Sequence, residues 1–237
     1  MSVFSDMHIG SLAVALATLT AVGCVRYERQ DTSESKSVEL GAAKEVRVEV
    51  EMGAGELRIG AAGGKLLDAD FHYNVAEWRP LVKYDVSGSH GYLSVRQPPV
   101  RGFSPGNQEN RWDLRLNDQV PMELKINVGA GEGTMKLSGM RLHRLEIGIG
   151  AGELKIDLRG PWDDNLDGSI RGGVGQATIH LPREVGVRVR ASGGIGGINA
   201  QGLHKDGDSY TNDAYGKSPI RLRLDVQGGI GEINLIG

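Results

Sequence analysis

The sequence predicts an all-β chain: a short β-solenoid of about 21 residues per coil, preceded by a β-rich N-terminal section. Three observations predict it. Glycine fills 36 of the 237 positions, about twice its usual share of roughly 7%. Six segments share one longer pattern, Gly-x-Gly followed by a strand-like run, beginning at Gly53, Gly129, Gly150, Gly173, Gly194 and Gly229. Apolar and polar residues alternate on both sides of these copies, which is the period of a half-buried strand.

From the N-terminus, residues 9–23 (IGSLAVALATLTAVG) form an uncharged apolar run. It has the length of a signal-peptide core and is short for a membrane span, which needs roughly 20 residues. The run ends in Ala21-Val22-Gly23-Cys24, similar to a bacterial lipobox, in which the cysteine is lipidated and becomes the mature N-terminus. The stretch before it departs from that pattern: MSVFSDMH has no Lys or Arg. Residues 1–23 are therefore read as a lipoprotein-type signal peptide, Cys24 as the lipidation site, and polar residues 24–43 as a tether. Cys24 is the chain's one cysteine, so no disulfide forms within a monomer and no cysteine-based zinc site exists.

Residues 44–122 form the β-rich N-terminal section and 123–237 the solenoid proper. Phe71, Tyr73, Trp78, Tyr84, Tyr92, Phe103 and Trp112 fall in segment 70–122, which is expected to pair as strands and help close the N-terminal end of the stack; the alternative is that its aromatics line a ligand groove. Residues 98–110 read as a surface loop. In the second section the motif starts at Gly129, Gly150, Gly173 and Gly194 are 21, 23 and 21 residues apart. The next gap, to Gly229, is 35 and holds the insertion 203–219. Leu124, Ile126 and Val128 precede one copy, and Leu154, Ile156 and Leu158 follow another.

In a stack of coils, equivalent residues lie about 4.8 Å apart. A corner must then turn the chain without a Cβ striking the next coil, and glycine meets that demand. The predicted structural corners are Gly53 and Gly55, Gly129 and Gly131, Gly150 and Gly152, Gly173 and Gly175, Gly194 and Gly196, and Gly229 and Gly231. The residue between each pair (Ala54, Ala130, Ala151, Val174, Ile195, Ile230) is always apolar and is expected to plug the corner. A dinucleotide loop needs a third glycine and a following helix. Lys155, Thr178 and Asn199 stand where that glycine would be, so nucleotide binding is not expected.

The residues after the corners form a column: Glu56, Glu132, Glu153, Gln176, Gly197 and Glu232. Two carboxylates ~5 Å apart repel by about 0.8 kcal/mol in water and roughly 3 kcal/mol at an effective dielectric of 20. An exposed pair splays apart; a confined pair needs a cation. The column breaks at Gln176 and Gly197, which favours solvated glutamates over a metal site. The cluster Trp162-Asp163-Asp164-Asn165-Leu166-Asp167-Gly168 lacks EF-hand spacing and reads as a turn. Tyr210 and Tyr215 in the insertion read as packing for that loop.

His8, His72, His90, His143, His180 and His204 form no H-E-x-x-H pair, and His180 is placed on an outward strand position. There is no G-x-S-x-G elbow, and Ser89-His90 are only sequence neighbours. Net charge is −3, which does not point to nucleic acid. No catalytic, cofactor-binding or metal residue is assigned.

Several blocks in order resemble the bacterial toast-rack domain: NVGAGEGTMKLSGMRLHRLEIGIGAGELKIDLRGPW, GGVGQATIHLPREVGVRVRASGGIGGINAQGL, DSYTNDAYG and VQGGIGEINL. The domain also occurs in proteins of the cell-wall-active-antibiotic response type, with adhesin-labelled relatives. ADFHYNVAEWRPLVKYDVSGSHGYLSVRQ and RWDLRLNDQVPMEL resemble the N-terminal part that accompanies it. The resemblance covers roughly residues 45–237. It implies a toast-rack-like stack of strands and no catalytic residues. The expected function is a non-enzymatic envelope lipoprotein, adhesin-like or scaffolding, exported and held to a membrane by lipid on Cys24. Its expected partner is an envelope protein or glycan, with no cofactor, nucleotide or nucleic acid. The alternatives are an envelope-stress regulatory partner and, from another class, a polysaccharide-active solenoid enzyme.

Overall fold

The computed structural model describes residues 31–99 and 108–237. Cys24 and the signal-like run lie outside the described residues, as does most of the loop 98–110. The rest is nearly all strand, with one 3-10 turn at Ala76–Trp78.

Five long strands each carry one motif copy: β2 (Glu45–Ala61), β7 (Met122–Lys136), β8 (Leu142–Asp157), β9 (Leu166–His180) and β14 (Arg221–Ile236). The remaining copy, the fifth in chain order at Gly194, is split between β10 (Gly186–Ile195) and β11 (Ile198–Gln201). In β2, Val46, Val48, Val50 and Met52 are buried, and after the motif Leu57 and Ile59 are buried. The inward parity thus changes from even to odd across Gly53-Ala54-Gly55. Both halves feed one core, so each long strand turns a corner there and contributes to two facing layers.

Neighbouring long strands are parallel and in matched register. Val48, Leu124 and Leu145 form one inward ladder, and Ile59, Met135, Ile156, Ile179 and Leu235 form another on the facing layer. Missing volume is filled from the next rung. A Cβ at Gly168 would lie 2.5 Å from Leu224 Cδ2, and one at Gly133 would lie 3.0 Å from Leu154 Cδ1.

The spatial order of the copies differs from their order in the chain. β14 sits between β9 and β10. After β11 the chain makes a hairpin of β12 (His204–Asp206) and β13 (Ser209–Thr211), then returns inside the fifth copy. The insertion 203–219 is long enough for that excursion. Its Asn212 is buried and pins it: Oδ1 accepts from Val187 N (2.9 Å), and Nδ2 donates to Pro182 O (3.0 Å) and Val185 O (2.8 Å). Tyr210 is buried beneath the hairpin and Tyr215 is half-buried.

At the other end, β3 (Leu67–Tyr73) and β6 (Asn110–Leu116) extend one layer, and β4 (Leu81–Ser87) and β5 (His90–Arg96) extend the other. Phe71 and Trp112 meet edge to face at 5.4 Å. Sheet and core run without a break through the expected boundary at residue 122, where β7 begins.

The expected tether 24–43 needs correction. Thr32–Val38 is a strand, β1, antiparallel to β3. Its polar composition suits an edge. Ser33 Oγ lies 2.8 Å from His72 Nδ1, and Ser35 Oγ donates to Asp70 Oδ1 at 2.6 Å. On its other face Glu34 accepts two bonds from Arg79.

Candidate interaction surface

The corners define the most regular feature of the molecule. Gly55, Gly131, Gly152, Gly175, Gly231 and Gly196 all adopt φ between +132° and +140°, open to glycine and strained for other residues. A Cβ on Gly131, Gly152, Gly175, Gly231 or Gly196 would lie 1.7–1.9 Å from the carbonyl oxygen of the equivalent glycine on the adjacent rung. The first glycines behave alike. A Cβ on Gly129, Gly150, Gly173, Gly229 or Gly194 would lie 2.2–2.5 Å from such an oxygen. Two glycine columns therefore descend the edge where the layers meet.

The N-terminal end of these columns is closed by the backbone and side chain of Asn110 together with the side chain of Gln97. Asn110 O lies 2.2 Å from a Cβ placed on Gly55, where a further coil would otherwise be. Asn110 Nδ2 donates to Ala54 O (2.7 Å) and Gln97 Oε1 (3.0 Å), while its Oδ1 accepts from Trp112 Nε1 (2.9 Å). Gln97 Oε1 also accepts from Gly53 N at 2.9 Å.

The residues expected to plug the corners do the opposite. Ala54, Ala130 and Ala151 are exposed, and Val174, Ile230 and Ile195 are 53%, 51% and 72% exposed. The positive φ of the second glycine and the parity change turn them out to solvent. Val174 pairs with Ile230, and Ile230 with Ile195, so three β-branched side chains stand on successive rungs. An open groove of about 1090 Å³ runs along the earlier rungs of the same corner edge and ends at Gly173, next to Val174. Met52, Val128, Ile149 and the first-glycine column form its floor; Trp78, Leu81 and Pro98 form one wall, with Arg96 and Arg171 also lining it.

The outer face of the first-half layer is a lattice of alternating charge. Arg47, Glu123, Arg144, Asp167 and Arg223 lie side by side on successive strands. Neighbours approach to 3.8 Å (Arg47–Glu123), 3.8 Å (Arg144–Glu123) and 3.7 Å (Arg223–Asp167). Such exposed pairs contribute at most about 1 kcal/mol each. Glu49 is more enclosed. It accepts bonds from Lys125 (2.6 Å) and Tyr92 (2.5 Å), which hold its carboxyl below the usual range despite partial burial.

Among the described residues, no group of three or more His, Cys, Asp or Glu is placed to hold a metal ion. Glu56, Glu132, Glu153, Gln176 and Glu232 do stack in one column, with Glu232 beside Gln176. Cations attend it. Arg58 and Arg111 bind Glu56, and Lys155 Nζ lies 2.9 Å from Glu153. Burial pushes Glu56 up, but its bonds to Arg111 and Arg58 outweigh this and hold it low. Gly197 is displaced from the column because the strand breaks there; its carbonyl accepts from Ile233 N at 3.0 Å.

In the acidic turn, Trp162 is buried and donates to Leu158 O at 2.8 Å, Asp164 pairs with Arg141 at 3.1 Å, and Asn165 Oδ1 accepts from Arg221 N at 2.8 Å. Asp167 faces Arg223. These four side chains thus serve local contacts. His90 lies 3.6 Å from Glu45, and His143 lies 3.4 Å from both Glu45 and Glu123. His180, placed on an outward position, is half-buried. The Ser33–His72 contact is one rung of a cross-strand ladder and sits on an exposed edge.

The family model for the N-terminal domain of toast_rack, DUF2154, matches residues 27–180. The chain belongs to the toast-rack family. The match takes in β1 and the first four glycine corners. Among solved structures, a "putative cell adhesion protein" from Clostridium sporogenes ATCC 15579 is 34% identical at a TM-score of 0.84, covering 87% of this toast-rack chain and 99% of the other. A "putative adhesin" from Parabacteroides distasonis ATCC 8503 is 13% identical at a TM-score of 0.26, covering 88% and 98%. No curated protein matches. Among the described residues of the toast rack, no helix is long and apolar enough to cross a membrane.

Sequence reasoning missed the ridge. Its signal was present in the growth of the middle residue from alanine to valine and isoleucine in later copies, a trend a corner plug of fixed size would not show.

Proposed function

We propose that this toast-rack chain is a non-enzymatic, exported binding module of the cell envelope, adhesin-like in action and held at a membrane by lipid on Cys24. One observation carries the binding role: Val174, Ile230 and Ile195 are exposed on adjacent rungs, and an apolar-floored groove along the earlier rungs of the same corner edge ends at Gly173, next to Val174. Contiguous exposed apolar side chains, rimmed by polar residues, mark contact sites. The partner, an envelope protein or a glycan, would lie along the corner edge and cross several rungs. The relative labelled as a cell adhesion protein supports the same reading.

The test is cosedimentation of the purified chain with isolated envelope fragments. Ile230→Asp combined with Val174→Asp should lower retention at least tenfold while circular dichroism stays unchanged. Retention equal to the parent would overturn the ridge as the contact. For the anchor, the sequence before Cys24 supplies the argument, and a single acyl chain alone binds only weakly. Cys24→Ala should abolish incorporation of labelled fatty acid; a variant that keeps the label would overturn the lipid site.

A further inference from the structure

Four strands are paired on one side only among the described residues: β1, β4, β12 and β11. Three are protected in the usual way, by charge. β1 carries Glu34 and Lys36, β4 carries Lys83 and Asp85, and β12 carries Lys205 and Asp206. β11 reads Ile-Asn-Ala-Gln and has neither charge nor proline.

The open side of β11 can be assigned. Gly197 O accepts from Ile233 N (3.0 Å), and Gln201 O accepts from Gly237 N (2.9 Å). The odd-numbered residues therefore face β14. In a parallel ladder the intervening residues direct both backbone groups the other way. The N–H and C=O of Ile198 and Ala200 point to the free edge. Their side chains are half-buried at the end of the core, together with Leu203. Asn199 is on the outer face, where its Nδ2 donates to Asn234 Oδ1 at 3.0 Å.

We propose that β11 is a self-association edge, at which two copies of the chain pair antiparallel about a two-fold axis through Asn199. Ile198 of each copy then lies opposite Ala200 of the other, and the outward groups form four backbone hydrogen bonds. Asn199 meets Asn199, and a side-chain amide is both donor and acceptor, so the pair is self-complementary and uncharged. The contact also covers the open last rung of the core. Head-to-tail growth is disfavoured because the strands at the opposite end, β1 and β4, would bring their charges against a neutral edge. An isologous contact closes at two copies.

Sedimentation of the detergent-solubilised full chain tests this. The parent should have twice the monomer mass. Asn199→Lys sets two ammonium groups face to face, and Ala200→Pro removes one outward N–H without touching the bonds to β14. Each should weaken association at least tenfold while the β-sheet circular dichroism signal is retained. In a Cys24→Ala background, Asn199→Cys should crosslink to its own copy on oxidation, because a non-hydrogen-bonded antiparallel pair has Cα atoms ~4.5 Å apart, within disulfide reach. A monomeric parent, or a dimer that survives both substitutions and gives no crosslink, would overturn the proposal.

Discussion

A methyl group on Gly152 would lie 1.8 Å from the carbonyl oxygen of Gly131. Both atoms concerned are fixed, since each belongs to a backbone held between two paired strands. The contact recurs at the same corner on neighbouring rungs, so the spacing between strands itself excludes a side chain. That explains why glycine is kept in structure it would otherwise weaken.

Gly152→Ala should therefore destabilise the domain by at least about 3 kcal/mol, in the upper tail of single-substitution losses, where overpacking and strain at a special dihedral act together. Gly139→Ala measures the left-handed penalty with no neighbouring rung in the way. Gly139 also has positive φ, at 75°, but nothing lies within 4 Å of its added Cβ. Its cost should be only the left-handed penalty, about 1–2 kcal/mol. Urea unfolding of the two variants measures the difference. Equal losses would mean that the neighbouring rung adds nothing to the requirement for glycine.

Asn110 closes the same columns with its backbone and side chain. Asn110→Ala removes bonds to Ala54 O and Gln97 and leaves the buried Trp112 indole N–H without its acceptor. A buried group left unpaired costs about 1–3 kcal/mol. The loss should fall in that range, with faster amide exchange at Gly53 and Ala54. Unchanged exchange there would show that the first corner does not depend on this cap.

Much of this architecture was legible in the residues, and the exceptions have physical causes. The corners were legible because few backbone conformations need glycine twice in three residues. The closing of the N-terminal end by strands of the aromatic-rich segment was legible because an exposed core rung must be covered. The outward turn of Val174, Ile195 and Ile230 was not, since apolar identity ordinarily signals burial and only the dihedral of the following glycine reverses it. β1 was hidden for another reason: Ser33, Ser35 and Ser37 resemble a solvated tether until His72, Asp70 and Asp68 are known to lie opposite them. The insertion of β14 between β9 and β10 depends on a path through space that local sequence does not encode.

Stability should depend on Glu49 in acid. Its bond to Lys125, and then that to Tyr92, lower its carboxyl below the unfolded value. A lowered folded value contributes stability that is present above the unfolded pKa and lost as pH falls through the folded one. Glu49→Gln should thus be less stable than the parent at neutral pH, with a difference that narrows as pH drops below the ordinary glutamate range. Thermal melts across that range give the test. A gap constant with pH would assign the loss to packing instead of ionisation.

The hairpin of β12 and β13 covers the flank of β10, and Asn212 is its principal polar tie to the body of the protein. Asn212→Ala leaves the Val187 N–H and two carbonyls without their partner, in a buried site where water does not readily substitute. The expected cost is about 2–3 kcal/mol, from the penalty for orphaned buried groups. The damage should be local first. β13 should release before the long strands open, because the latter are paired on both sides along their length. Hydrogen exchange at Ser209–Thr211 and along β10 should accelerate in the variant while β7 and β8 stay protected. A uniform rise across all strands would instead make the hairpin part of the same cooperative unit as the corners.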